Sequence, residues 1–151
     1  MLKEGDKAPE IQLNTDTGEP FRLSGLKGKK VVLYFYPRAD TPGCTVEACE
    51  FRDHSKKFAR KDSVIVGISP DAVKAQAKFK DKFDLPFTLL CDVDKEAAEA
   101  YGVYKEKNMY GKKVMGIERT TFVIGADGKI EKIYAKVKAQ GHAAAVLSDL
   151  A

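Results

Sequence analysis

Residues 31–49 read VVLYFYPRADTPGCTVEAC. The first six are continuously apolar and rich in β-branched and aromatic side chains, which predicts a strand buried on both faces of a sheet. Pro37 cannot continue that strand, so the strand ends there. Thr41 is a good helix cap and Pro42 suits the first helical position. The stretch therefore predicts a strand, a loop and the start of a helix.

Further apolar runs extend this unit into an alternating pattern. SVIVGIS at residues 63–69 and FTLLC at residues 87–91 predict two more buried strands. Apolar residues at helical spacing predict a helix after each strand. The predicted helices contain Cys44 and positions 48, 51, 58 and 59, then residues 71–84, then residues 95–101. We expect Ser69 to cap the second helix, with Pro70 at its first position.

The two ends of the chain carry hairpin patterns. Residues 11–13 and 21–23 flank a turn at 16–18, and residues 120–124 and 130–134 flank a turn at 126–128. Residues 142–150 predict a last helix, and the polar, glycine-containing residues 105–116 are interpreted as a loop. The order predicts an α/β fold with a central mixed sheet flanked by helices. Ligand sites in such sheets lie beyond the carboxyl ends of the strands, which points to the loop after residue 36.

Composition limits the class of protein. The 151 residues suit one domain, and 44% hydrophobic and 32% charged residues are typical of a soluble globular chain. No apolar run approaches the ~20 residues of a membrane span. The N-terminus has no secretory apolar segment, so we expect a cytoplasmic protein. The net charge of +4 comes from dispersed basic residues, which argues against nucleic-acid binding.

Cys44 falls at the third position of the helix predicted after residue 41. Backbone N–H groups in a first helical turn lack intrahelical partners, and the helix dipole is positive there. Both stabilise a thiolate, which is the nucleophilic form of cysteine. The alternative is a buried structural cysteine. The coincidence of cap, proline and a second nearby cysteine favours the nucleophile.

Cys49 lies five residues further along the same predicted helix. Five residues turn a helix by about 140° and advance it by roughly 7.5 Å. The two Cα atoms would then be more than about 8 Å apart, whereas a disulfide needs roughly 4.4–6.8 Å. A bond between the two cysteines therefore requires the start of the helix to unwind. A passive helix residue is the alternative interpretation of Cys49.

Metal binding and cysteine hydrolysis are less favoured alternatives. Cys44, Cys49 and His54 follow one another at five-residue steps, so no helical face gathers them, and no CxxC pair is present. A hydrolase would need a histidine beside Cys44. We interpret both His54 and His142 as surface residues. The sequence therefore predicts neither a metal nor an organic cofactor.

A thiolate that attacks a hydroperoxide needs groups that position the attacked oxygen and stabilise charge on the departing one. Thr41 offers a hydroxyl three residues before Cys44. Arg119, directly before the strand predicted at residues 120–124, could supply a fixed cation. Arg38 and Arg52 are competing candidates for that cation.

These residues resemble a known family. Pro37-x-x-x-Thr41-x-x-Cys44 matches the active-site pattern of the peroxiredoxins in full. The longer stretch YFYPRADTPGCTVEAC resembles their bacterioferritin comigratory protein, or PrxQ, subfamily, whose resolving cysteine lies five residues after the peroxidatic one. The likeness continues through GDKAPEIQL (5–13), VIVGIS (64–69), FTLLCD (87–92), YGVY (101–104), ERTTFVI (118–124) and DGKI (127–130).

The resemblance implies one thioredoxin-like domain over residues 1–151, with an added N-terminal β-hairpin. It implies reduction of hydrogen peroxide and organic hydroperoxides, with thioredoxin or a similar dithiol protein as reductant, by a monomer or weak dimer. It assigns Cys44 as the peroxidatic residue and Cys49 as the resolving one. Thr41 and Arg119 match the positions that activate peroxide, and Pro37 matches the proline that shields the pocket.

Two observations bear on this assignment. Some relatives carry the resolving cysteine in the next helix, and residues 71–84 contain none, which favours Cys49. Cys91 matches no catalytic position of the family and is interpreted as a small buried residue.

Two rival functions remain open. One is a disulfide oxidoreductase of thioredoxin type, which would require CxxC rather than the CxxxxC seen here, and the other is a catalytically silent binding module.

Overall fold

Seven strands form one central sheet in the computed structural model, which describes residues 2–150. The strand order is β2-β1-β5-β4-β3-β8-β9, and a separate two-stranded sheet joins β6 and β7. The strands are β1 (Gln12–Thr15), β2 (Pro20–Arg22), β3 (Lys30–Phe35), β4 (Ser63–Ser69), β5 (Thr88–Cys91), β6 (Tyr104–Met109), β7 (Lys112–Ile117), β8 (Thr120–Ile124) and β9 (Ile130–Tyr134). The helices are α1 (Pro42–Asp53), α2 (Ser55–Arg60), α3 (Val73–Phe83), α4 (Glu96–Ala100) and α5 (His142–Asp149).

The central strand β3 is buried on both faces, as its apolar run predicts. It pairs in parallel with β4 and antiparallel with β8. Leu33 and Phe35 belong to the core on one face of the sheet, and Val32 and Tyr34 belong to the core on the other. This alternation follows from the two-residue period of a strand. The second face is covered by α1, whose Phe51 stacks on Tyr34 with ring centroids 4.7 Å apart.

Both predicted hairpins and the mixed sheet are confirmed. β1 pairs with β2, and β8 pairs with β9, in antiparallel register. The last helix is also present, as α5. None of the helices within residues 2–150 has the length and apolar character needed to cross a bilayer.

The interpretation of residues 105–116 as a loop is wrong. They lie in the β6–β7 hairpin, whose strands pair from Tyr104–Ile117 to Met109–Lys112. Tyr110 and Gly111 at its tip both have positive φ, of 53° and 77°, which is the geometry of a tight hairpin turn. The hairpin pairs only with itself and leaves most of its side chains exposed, so no apolar periodicity marked it in the sequence.

The predicted start of the second helix is also wrong. α3 begins at Val73, with Ala72 rather than Ser69 in the capping position. Ser69 is the last residue of β4, and its hydroxyl donates to the Asp71 carboxylate at 2.7 Å. Ser69 therefore ends the strand instead of starting the helix, and Pro70 lies between the two elements.

Candidate active site

The candidate site lies at the carboxyl end of β3, where the sheet topology predicts it. Residues 36–41 connect β3 to α1, and residues 37–41 form the loop. Pro42 is the first residue of α1 and Cys44 the third, as predicted. Cys44 is only 1% exposed, and the unpaired N–H groups of the first turn surround it with positive potential.

Arg119 brings a cation to this helix terminus. Its Nη2 donates to the Cys44 sulfur at 3.4 Å, and its Nη1 donates to Glu47 at 2.8 Å. Arg119 directly precedes β8, and β8 runs antiparallel to β3 with Thr120 opposite Phe35. The start of β8 and the end of β3 therefore meet at one edge of the sheet, so the strand register sets the position of the guanidinium.

Gly43 allows the guanidinium to approach this closely. A Cβ added at Gly43 would lie 3.1 Å from Nη2 of Arg119. That contact is tighter than ordinary van der Waals packing, so a larger residue would displace either the arginine or the helix start. The close approach of Arg119 thus explains why glycine precedes Cys44, which helix propensity alone does not explain.

Thr41 occupies the capping position of α1 with extended backbone, but its hydroxyl does not cap the helix. The hydroxyl donates instead to the carbonyl of Arg38 at 2.9 Å. The prediction that Thr41 occupies the capping position is confirmed, but the prediction that its side chain caps the helix is wrong. Because its hydrogen is directed at Arg38, the Thr41 oxygen has its lone pairs left to accept a hydrogen bond from another donor. Pro37 is half-buried at the other end of this loop.

The competing arginines make no hydrogen bond to Cys44 within residues 2–150. Arg38 is exposed on the loop. Arg52 is at the far end of α1, where it donates to the carbonyl of Phe83 at 2.7 Å and pairs with Asp53. Of the three candidates, Arg119 alone contacts Cys44 within the described part of the chain.

Glu47 is the residue of this site that sequence analysis did not identify. Its side chain is fully buried, with Oε1 bound to Arg119 and Oε2 without a partner among residues 2–150. Burial raises the pKa of the Glu47 carboxyl from 4.5 to about 7, although the adjacent guanidinium opposes that shift. The signal was available, because residue i+3 of a helix lies on the same face as residue i, here Cys44.

The raised pKa of Glu47 predicts a pH-dependent stability. Between pH 4.5 and about 7 the folded state holds a proton that the unfolded state has lost. The contribution of Glu47 is therefore fully present below pH 4.5 and is lost as the pH rises through 7. Glu47→Gln should remove this dependence, which amounts to at most about 1.4 kcal/mol per pH unit.

Urea unfolding of the parent and of Glu47→Gln at pH 5, 6 and 7 measures this effect. We expect the unfolding free energy of the parent to fall relative to that of the variant across this range. Glu131→Gln provides a control, because Glu131 is a more exposed carboxylate paired with Lys30. Parallel curves for the parent and Glu47→Gln would show that Glu47 is ionised throughout.

Cys49 is half-buried in the same uninterrupted helix as Cys44, and both thiols are free. Two contacts tie the second half of α1 to the rest of the fold. Glu50 accepts a hydrogen bond from the Gly141 backbone N–H at 2.7 Å, and Arg52 binds the carbonyl that ends α3. With α1 intact, the helical geometry keeps the two sulfurs on different faces.

The remaining cysteine lies outside this cluster. Cys91 is buried at the end of β5, with its sulfur 3.8 Å from the Thr15 carbonyl. Burial raises the pKa of its thiol to about 11, so the thiol stays protonated at neutral pH. These features fit the small buried residue predicted from the sequence.

One of the two histidines is not a surface residue, contrary to the sequence interpretation. His142 is buried, and its Nε2 lies 2.7 Å from the Thr121 hydroxyl. Burial lowers the pKa of His142 to about 4, so the ring is neutral at pH 7. His54 is half-buried after the end of α1. Neither ring hydrogen-bonds Cys44 within residues 2–150, and those residues contain no group of three or more ligands that could hold a metal.

Comparison with known proteins shows the family to which the chain belongs. The model of the AhpC/TSA family matches residues 4–133. The chain belongs to this family. Peroxiredoxin Bcp of Bacillus subtilis is 51% identical over 149 residues, covering 99% of this chain and 95% of the relative. Peroxiredoxin Bcp of Escherichia coli K12 is 42% identical over 147 residues, covering 97% and 94%.

A solved structure of a related protein has the same fold as this peroxiredoxin. The bacterioferritin comigratory protein of Xanthomonas campestris, studied for its alkyl peroxide reduction activity, superposes with a TM-score of 0.89 at 40% identity and covers 93% of this chain and 89% of its own. The fold is thus thioredoxin-like with an added N-terminal hairpin. The chain is a thiol-dependent peroxidase, which uses a peroxide substrate and a reductant.

Proposed function

We propose that Cys44 is the peroxidatic nucleophile of this enzyme. Its thiolate attacks one oxygen of a hydroperoxide, the O–O bond breaks, and the other oxygen leaves as water or an alcohol after taking up a proton. Cys44 is then a sulfenic acid. The substrates are hydrogen peroxide and organic hydroperoxides. The observation that carries this proposal is the 3.4 Å contact of Arg119 with the Cys44 sulfur at the start of α1.

Arg119 and Thr41 have complementary roles in this step. The guanidinium, fixed by Glu47, stabilises negative charge on sulfur and on the departing oxygen. The Thr41 oxygen accepts a hydrogen bond from the hydroperoxide O–H, because its own hydrogen is held by Arg38. Pro37 shields the loop side of the pocket from water.

Cys49 completes the cycle as the resolving residue. Its thiol attacks the Cys44 sulfenic acid, water leaves, and an intramolecular disulfide forms. Thioredoxin or a similar dithiol protein then reduces the disulfide by exchange. The CxxxxC spacing disfavours a general disulfide oxidoreductase, since its two sulfurs cannot pair across an intact helix. We also propose that residues 1–151 act as one domain, as a cytoplasmic monomer.

Arg119→Met tests the proposed chemistry. The variant keeps an unbranched apolar side chain in place of the methylene part of the arginine but removes the charge beside Cys44. It should slow the first oxidation of Cys44 by hydrogen peroxide at least about tenfold, on the order of 1.4 kcal/mol of barrier. Stopped-flow measurement of a single turnover isolates this step from recycling.

Arg38→Met is the matched control, because Arg38 is an exposed arginine on the loop that precedes Cys44. It should change the oxidation rate much less than Arg119→Met does. Equal rates in the two variants would mean that Arg119 is not the activating cation.

A further inference from the structure

The active-site loop is bound to the segment that follows β4. The Ala39 backbone N–H donates to Oδ2 of Asp71 at 2.7 Å, and the same oxygen accepts the Ser69 hydroxyl at 2.7 Å. β3 and β4 are parallel neighbours, joined last by the bond from Tyr36 N–H to the Ile68 carbonyl at 3.0 Å. Their continuations therefore run side by side, which places Asp71 against the loop.

A buried network of hydrogen bonds fixes the position of Asp71. The Ser69 hydroxyl donates to Asp71 and accepts a hydrogen bond from the Gln76 amide at 2.9 Å. The same amide donates to the Leu90 carbonyl at 2.9 Å, and its oxygen accepts the Tyr36 hydroxyl at 2.6 Å. Gln76 and Tyr36 are fully buried. With both amide hydrogens of Gln76 donated and its oxygen accepting from Tyr36, the network has one well-defined arrangement.

A single peptide group connects the hydrogen bond made by Asp71 with the one made by Thr41. That group contains the Ala39 N–H, which binds Asp71, and the Arg38 carbonyl, which accepts the Thr41 hydroxyl at 2.9 Å. A peptide group is planar and trans, so fixing the direction of its N–H also fixes the direction of its carbonyl. Asp71 therefore determines where the Thr41 hydroxyl hydrogen points.

We infer that Asp71 is a positioning residue for peroxide activation, acting on Thr41 through the peptide group between Arg38 and Ala39. This inference rests on the proposed role of Thr41 as the acceptor for the hydroperoxide O–H. Without Asp71 the peptide group is free to rotate, and the Thr41 hydroxyl loses its fixed direction. The Cys44 sulfur keeps its own contacts, with Arg119 and the start of α1, which do not involve Asp71.

Two reactions of Cys44 separate this role from a general structural one. Oxidation by hydrogen peroxide needs the Thr41 oxygen, whereas alkylation by iodoacetamide needs only the thiolate. Asp71→Ala should slow oxidation about tenfold, because small misplacement of a reacting group is costly, and should change alkylation less than about twofold. Asp71→Asn should restore oxidation to within about twofold of the parent, because an amide oxygen can accept both hydrogen bonds.

Lys82→Ala is the matched control, because Lys82 makes an exposed ion pair with Asp40 of the same loop. It should leave both reactions nearly unchanged. Asp71→Ser, too short to reach the Ala39 N–H, should behave like Asp71→Ala and provides a second test if the alanine variant folds poorly. The inference is overturned if Asp71→Ala slows oxidation and alkylation equally, or slows neither.

A double-mutant cycle identifies Thr41 as the mediator. If Asp71 acts through Thr41, Asp71→Ala should have little further effect on oxidation in a Thr41→Val background. Additive effects would mean that Asp71 acts by another route. The Cys44 chemistry is tested independently by Cys44→Ser, so failure of this inference is distinguishable from failure of the proposed function.

Discussion

Cys44→Ser is expected to abolish peroxide-dependent turnover while leaving the fold intact. A serine hydroxyl fills nearly the same volume at this buried position, but it does not ionise at neutral pH and has no sulfur to form a sulfenic acid. The helix terminus and Arg119 would then lie beside a neutral hydroxyl, which has no negative charge for them to stabilise. Peroxide consumption with a dithiol reductant measures the loss, and thermal unfolding checks the fold.

Cys91→Ser is the matched control for this experiment. Cys91 is also buried, but it contacts the Thr15 carbonyl rather than the guanidinium. It should retain turnover close to that of the parent. Substantial turnover in Cys44→Ser, lost only when Cys91 is also replaced, would move the nucleophile to Cys91.

Cys49→Ser is expected to allow one oxidation of Cys44 and to block recycling by thioredoxin. The serine cannot condense with the sulfenic acid to form a disulfide. After a single addition of peroxide, a reagent specific for sulfenic acids should label Cys44. Mass spectrometry should then locate the label at that residue. Normal turnover of this variant with thioredoxin would show that the second sulfur comes from elsewhere.

Disulfide formation is also expected to unwind the start of α1. Two cysteines five residues apart in a regular helix have Cα atoms more than about 8 Å apart, beyond the roughly 4.4–6.8 Å of a disulfide. Local opening of a terminal segment costs much less than global unfolding. The oxidised protein should therefore exchange its amide hydrogens faster than the reduced protein across residues 43–52.

Strands β3 and β4 provide the internal control for amide exchange. Both lie in the middle of the sheet and should keep their protection in both redox states. If the disulfide forms while α1 is equally protected before and after oxidation, the unwinding mechanism is wrong.

Errors in the sequence analysis arose where tertiary contacts replaced local signals. Ser69 and Pro70 form a good helix start by local rules, yet Ser69 stays in β4 because its hydroxyl is used in the network of Asp71 and Gln76. His142 has no neighbours in sequence that predict its burial. It is covered because Phe51 of α1 and Tyr134 of β9 pack against its ring.

The sequence by itself determined the features that depend on a few neighbouring residues. Apolar runs specify the buried strands, and Pro42 specifies where α1 begins, because its fixed φ and missing N–H suit the first helical position. Those local rules place Cys44 in the first turn and put Cys49 on the same helix. The spacing of the two cysteines then dictates that any disulfide between them would require unwinding of the helix.

Only the tertiary structure decided which distant groups meet Cys44. Arg119 lies 75 residues away along the chain, and sequence patterns did not distinguish it physically from Arg38 or Arg52. It reaches the sulfur because β8 pairs antiparallel with β3 in a register that sets Thr120 opposite Phe35. Asp71 reaches the loop because β4 lies parallel to β3. Such contacts depend on how strands align across the sheet, and that alignment is fixed by burial of the whole core rather than by any local stretch.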